Sequence, residues 1–291
     1  MTMPVMEPDL DAATLEAWAC AIDEGPFASA CFGERIAFGN PETLTLLGAL
    51  AAWTERVRLV TTVIVPALHD PVMLAKALAT GDMLCGGRLT VGLGVGGRQE
   101  DYRAVGADLS TQTMHDMAHR AVVMRQVWAG EKLTDSVCPV GPPPVQRGGP
   151  ELLVGTMGPK TVRSAAFWAD GLAGTTLDLD VGAVGALFDV ARGAWADAGK
   201  PPPRLTTSFW FALGPHARDQ MHSHLRHYMN WIPASYVDAM APSTGFAGGQ
   251  DELGNILQNF ADIGTDEVHL IPTSSDIAQL RAAADVVASL D

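Results

Sequence analysis

The chain of 291 residues is poor in basic side chains, with 19 Lys and Arg against 33 Asp and Glu and a formal net charge of −14. That balance speaks against a nucleic acid or an anionic membrane as partner, because both demand basic surface. Cysteine is scarce as well: Cys20, Cys31, Cys85 and Cys138 are scattered, with no C-x-x-C and no His–Cys cluster. Neither zinc nor a disulfide framework is implied, and no metal is expected. No apolar run approaches the ~20 residues that span a bilayer. The opening Met1-Thr2-Met3-Pro4-Val5-Met6-Glu7-Pro8-Asp9 lacks a basic n-region, so no signal peptide is expected and the protein reads as cytoplasmic.

What is present suits a single globular domain. The hydrophobic content is 47% and the charged content 18%, and the length falls within the range of one α/β barrel. The most informative stretch is Gly86-Gly87-Arg88-Leu89-Thr90-Val91-Gly92-Leu93-Gly94-Val95-Gly96-Gly97, with Arg98-Gln99-Glu100-Asp101-Tyr102 behind it. Apolar residues there alternate with glycine, as in a buried strand that something approaches closely. Gly92, Gly94 and Gly97 also match G-x-G-x-x-G. A dinucleotide fingerprint, however, follows the first strand and opens a helix packed by small apolar residues. Here two of the glycines fall inside the strand, a polar segment follows, and several strand–helix units come first. The run reads instead as the floor and rim of a site.

Strands are predicted at residues 5–6, 27–32, 57–65, 86–97, 152–155, 171–174, 205–213 and 267–271. Between them, helices are expected from Asp9 or Asp11 to about 23, from Asn40-Pro41 to 53 and from Asp70-Pro71 to 84. Further helices are expected over 111–128, 159–168, 181–198 and 216–231, then to 263 and from 275. Residues 131–150, rich in Gly and Pro, read as a surface excursion, and 242–249 as a loop. Eight strands alternating with helices point to a (β/α)8 barrel, with a doubly wound open sheet as the alternative. In a barrel the site lies at the C-terminal ends of the strands, where Glu34, residues 94–102 and Gly155-Thr156-Met157-Gly158 fall.

Leu50-Ala51-Ala52-Trp53-Thr54-Glu55-Arg56-Val57-Arg58-Leu59, His69-Asp70-Pro71-Val72 and Gly86-Gly87-Arg88-Leu89, with Gly92 and Gly106, resemble the bacterial luciferase-like family. Gly155-Thr156-Met157-Gly158-Pro159-Lys160, Ala169-Asp170-Gly171 and Gly264-Thr265-Asp266-Glu267-Val268 match its later signatures, and the likeness runs over roughly residues 27–275. The resemblance implies a TIM barrel and an oxidoreductase using coenzyme F420 for hydride transfer or reduced FMN for monooxygenation of a small organic substrate. It also implies a homodimer and, upstream, a flavin or F420 reductase. By position, Gly94, Val95, Gly96, Gly97 and Arg98 would meet the cofactor's phosphate and ring. Gly155, Thr156, Met157, Gly158 and Lys160 would form a second phosphate site, which backbone N–H groups at a helix start also favour. Thr62–Val63 would carry the family's cis non-proline peptide beneath the ring.

One departure stands out. Many members have an acidic residue followed by His at the end of the second strand, whereas here Glu34 is followed by Arg35. Arginine stays protonated and cannot act as a base, but it can hold an anionic substrate or the charge of a reduced flavin. Glu34 remains a candidate acid/base if burial raises its pKa, against the alternative of a surface contact with Arg35. His69 lies on the same barrel face as a third candidate. His222, His224 and His227 read as a wet helix face, and Tyr102 and Trp210 as packing. The lean is towards F420. A barrel that has lost catalysis and serves as a binding or accessory subunit is the rival reading that Arg35 motivates.

Overall fold

The computed structural model describes residues 1–135 and 137–290. All strand pairings are parallel. β1 (Ser29–Phe32), β2 (Arg58–Ile64), β3 (Leu89–Leu93), β4 (Glu151–Val154), β5 (Gly171–Ala173) and β6 (Arg204–Leu213) follow one another in space as in sequence. β6 is long enough to serve two more strands. β8 (Glu267–Pro272) pairs along Thr206–Phe211, and β7 (Phe246–Gly248) joins only at Phe211–Leu213.

The ring closes through the first three residues. Thr2 N–H donates to Leu270 O of β8 at 2.8 Å, while Met3 N–H donates to Cys31 O and Cys31 N–H to Met1 O of the opposite neighbour. The result is a TIM-type barrel, as expected, with two changes of part. The strand predicted at 5–6 is a turn, and its place is taken by residues 1–3. The loop predicted at 242–249 contains β7, which a three-residue Phe-Ala-Gly segment forms because the overhanging end of β6 offers unpaired backbone groups.

Helix starts are set by side-chain caps. Asp11 caps α1 (Ala12–Glu24), Asp70 with Pro71 at the first position opens α3 (Pro71–Leu84), Thr113 caps α5 (Met114–Trp128), and Asp180 caps α7 (Val181–Asp197). α2 (Thr43–Trp53) begins later than Asn40-Pro41 predicts, because the Glu42 carboxylate takes the N–H groups of Leu44 and Thr45. The long strand predicted over 86–97 pairs only along its middle five residues, and α4 (Gln99–Ala104) follows its loop. α6 (Pro159–Ala165), α8 (Ala217–Tyr228), α9 (Ala234–Met240), α10 (Gln250–Asp262) and α11 (Ile277–Ala288) complete the outer layer. α9 falls between the helix predicted to 231 and the loop predicted from 242, where no element was expected.

The core lies between this layer and the ring, where fully buried Leu59, Leu89, Val91 and Leu152 meet Leu74 and Leu78 of α3. The excursion at 131–150 is fastened from below. Fully buried Asp82 accepts the backbone N–H groups of Val145 and Gln146 at 2.8 and 3.0 Å and the Gln146 amide at 2.7 Å. No helix among the described residues is long and apolar enough to cross a membrane.

Candidate active site

At the C-terminal end of β1 the acid and the arginine part company. Glu34 is 7% exposed; its Oε2 accepts Val65 N–H at 2.8 Å, and its Oε1 lies 2.7 Å from His69 Nε2. No Glu34–Arg35 contact forms. The acid–histidine pair that the sequence lacks at neighbouring positions is thus assembled from two successive strand ends. His69 is held from behind by Arg120, which donates to its carbonyl at 2.8 Å. Burial alone would lower the pKa of His69, but the hydrogen bond and charge of Glu34, with Glu42 beyond, outweigh it and raise the pKa.

Beside this pair, β2 breaks register between Thr61 and Ile64, and the Thr62–Val63 peptide is cis. Glycines at the ends of the next two strands make room for the Val63 side chain. A Cβ on Gly94 would lie 2.6 Å from Val63 Cγ2, and one on Gly155 3.0 Å from Val63 Cγ1. What approaches the glycine strand closely is therefore Val63.

The loop after β3 forms the rim. Val95 O accepts from the buried Tyr102 hydroxyl at 2.8 Å, Gly96 O accepts from Gln112, and the N–H groups of Gly96 and Gly97 make no hydrogen bond among the described residues. Gly97 faces open space. Asp101, buried on α4, ties rim to neighbour by accepting the N–H groups of Ile36 and Ala37 at 3.0 and 2.7 Å. One strand further round, Gly155 N–H donates to Leu93 O at 2.7 Å and Gly158 N–H to the Thr156 hydroxyl at 3.1 Å. Met157 and Lys160 point outward and are exposed. A cleft of about 870 Å³ opens beside this turn, between Met157, Pro159, Thr175, Leu187 and Met240.

The opposite wall was not foreseen. α8 carries Tyr228 at its end, with Trp231 beyond, and their rings meet edge to face at 5.7 Å. Tyr228 stacks on His224, whose Nδ1 sits 2.5 Å from Glu7 Oε1 while its Nε2 is buried without a partner. His224 is 4% exposed, which corrects the wet-face reading of this helix; only His222 fits it, paired to Asp238 at the surface. The signal was present in the sequence: Met221, Leu225 and Tyr228 recur at helical spacing and put position 224 in the same apolar stripe. Glu7 carried none. Trp210 packs against Tyr228 at 5.6 Å, as expected of a core aromatic. Among the described residues no three His, Cys, Asp or Glu side chains converge in a way that could hold a metal.

Comparison with known proteins places the chain in a family. An uncharacterized protein of Mycobacterium tuberculosis is 36% identical over 164 residues, covering 53% of this chain and 56% of its own. An F420-dependent hydroxymycolic acid dehydrogenase of the same organism is 30% identical over 150 residues, 47% of this chain and 39% of the relative. The chain thus aligns with only about half the length, or less, of these curated relatives. Among solved structures, the monooxygenase RslO1 of Streptomyces bottropensis superposes with a TM-score of 0.79 at 21% identity over 99% of this chain and 98% of that one. An F420-dependent secondary alcohol dehydrogenase, solved with an F420–acetone adduct, superposes with a TM-score of 0.80 at 16% identity over 96% and 95%. With the profile of the luciferase-like monooxygenases matching residues 3–268, the chain belongs to that family.

Proposed function

We propose that the protein is an F420-dependent oxidoreductase that exchanges a hydride with a small organic substrate at the C-terminal mouth of the barrel. The observation that carries this reading is the Glu34–His69 pair, 2.7 Å apart beside the Thr62–Val63 bulge. The free N–H groups of Gly96 and Gly97 and the open space at Gly97 fit a flat ring with an anionic tail, held further by the Thr156–Lys160 turn. Bound F420 would supply two-electron hydride transfer. The protein's part is the proton. With Nε2 engaged by Glu34, the other ring nitrogen of His69 is left to take a hydroxyl proton as an alcohol carbon gives up its hydride, or to return it in the reverse direction. The raised pKa of His69 suits a group that must hold that proton near neutral pH.

A second reading is monooxygenation with reduced FMN and oxygen, supplied by a flavin reductase; the family as a whole and the likeness to RslO1 favour it. In either case we take the protein to act in the cytoplasm as a homodimer. Equilibrium titrations with F420 and FMN, each oxidised and reduced, test the choice. Tight F420 binding, weakened in both Gly97→Val and Lys160→Ala, is expected. Binding of reduced FMN alone moves the protein to the monooxygenase reading, and binding of neither leaves an accessory barrel.

A further inference from the structure

Two arginines share the aromatic wall of the mouth without a direct ion pair among the described residues. The Arg35 guanidinium carbon lies 4.1 Å from the ring centre of Phe38 and 5.0 Å from that of Trp231. The Arg98 carbon lies 4.0 Å from Trp231 and 4.9 Å from Tyr228. Arg35 is 5% exposed and, among the described residues, donates one hydrogen bond, to Tyr228 O at 3.2 Å, and Arg98 donates none; Nε of each is buried and unpartnered there. The nearby Asp101 accepts the N–H groups of Ile36 and Ala37 on its Oδ1 and forms no ion pair with either arginine. Burial, and then the charge of Arg98, lower the pKa of Arg35, against the opposing charges of Asp101 and Glu100.

A chain with 33 acidic residues could have neutralised this pair from its own side chains. It surrounds it with rings instead, which stabilise a guanidinium by stacking and leave its N–H fork unused. Such a fork matches an oxyanion in two-pronged geometry. The clamp joins the end of β1 to the rim after β3 and the end of α8, while the Thr156–Lys160 turn stands at β4, the strand next to that rim.

We propose that Arg35 and Arg98 form a clamp for an oxyanion carried by the substrate, so that the protein acts on organic carboxylates or phosphate esters. This inference rests on the oxidoreductase reading and moves Arg98 from the cofactor to the substrate. Arg35 follows Glu34 at the end of β1, one side chain turned to His69 and the other to the aromatic wall. The missing histidine then marks a change of substrate class.

Titration calorimetry of the full chain with benzoate and phenyl phosphate, and with neutral benzamide as control, tests the clamp with and without saturating cofactor. Saturable binding of either anion but not of benzamide is expected, unaffected by bound cofactor and weakened at least tenfold by Arg98→Gln. Arg35→Gln should behave alike, and Arg35→Lys should recover part of the affinity; thermal melts check that each variant is folded. The clamp is refuted if neither anion saturates, or if Arg98→Gln, half-buried and the safer variant, binds like the parent. Loss of anion binding on cofactor loading also overturns it, because the arginines then hold the cofactor. Failure of F420 and FMN to bind defeats the oxidoreductase reading instead, and the anion titration of the free protein still decides the clamp.

Discussion

Substituting Gly94 by alanine probes the packing beneath the site. The added Cβ would stand 2.6 Å from Val63 Cγ2 and 3.6 Å from Val63 Cβ. Carbon atoms settle at about 3.5–4.0 Å, so the overlap is about 1 Å. Val63 yields little by turning, because its β-branched side chain is stiff. Overpacking of this kind costs about 1–3 kcal/mol. Urea denaturation followed by circular dichroism reads it as a lower midpoint at unchanged slope. Removing the two methyls in Val63→Ala should itself cost about 1–2 kcal/mol. It should also absorb the clash, so that the double variant is at least about 1 kcal/mol more stable than the sum of the singles. Gly94→Ala within about 0.5 kcal/mol of the parent, or strict additivity in the double variant, would refute the account of Val63 as the group the glycine strand accommodates.

The histidine pair predicts a pH dependence. Because the folded pKa of His69 is raised above its ordinary value of about 6.5, the stabilisation from its protonated form is fully present below that value and lost as pH rises through the folded one. The stability gap between parent and Glu34→Gln should therefore narrow from pH 6 upward in parallel urea titrations; a gap that is flat across the range contradicts it. Asp82→Ala leaves the Val145 and Gln146 N–H groups without their acceptor, at about 1–3 kcal/mol. The segment 131–150 should then be cleaved faster by a nonspecific protease, and an unchanged cleavage rate would show that the excursion is held by other contacts.

The elements most legible in the chain were those with local causes. Asp70-Pro71 opens α3 where predicted, because a carboxylate and a proline act on the N–H groups of the adjacent turn. Residues 57–65 formed β2 because their β-branched run suits a strand buried on both faces. β7 was illegible, since Phe246-Ala247-Gly248 has no strand signal of its own and pairs only because β6 overhangs. Position 35 reads as a break in an acid–histidine dipeptide. Its consequence depended on His69, which lies 35 residues from Glu34 in the chain. The pairing of Glu7 with His224 spans 217 residues and involves an acid with no local pattern at all.

The sequence by itself determined the barrel and the family, because alternation, caps and ordered motifs are short-range and survive in one dimension. Only the tertiary structure decided which side chains meet at the mouth. That was set by ring closure through residues 1–3 and by the folding of α8 over the mouth, which brings Glu34 to His69, Glu7 to His224, and Arg35 with Arg98 to Trp231. Contacts between strand ends depend on where the ring puts each end, and no spacing along the chain encodes that distance.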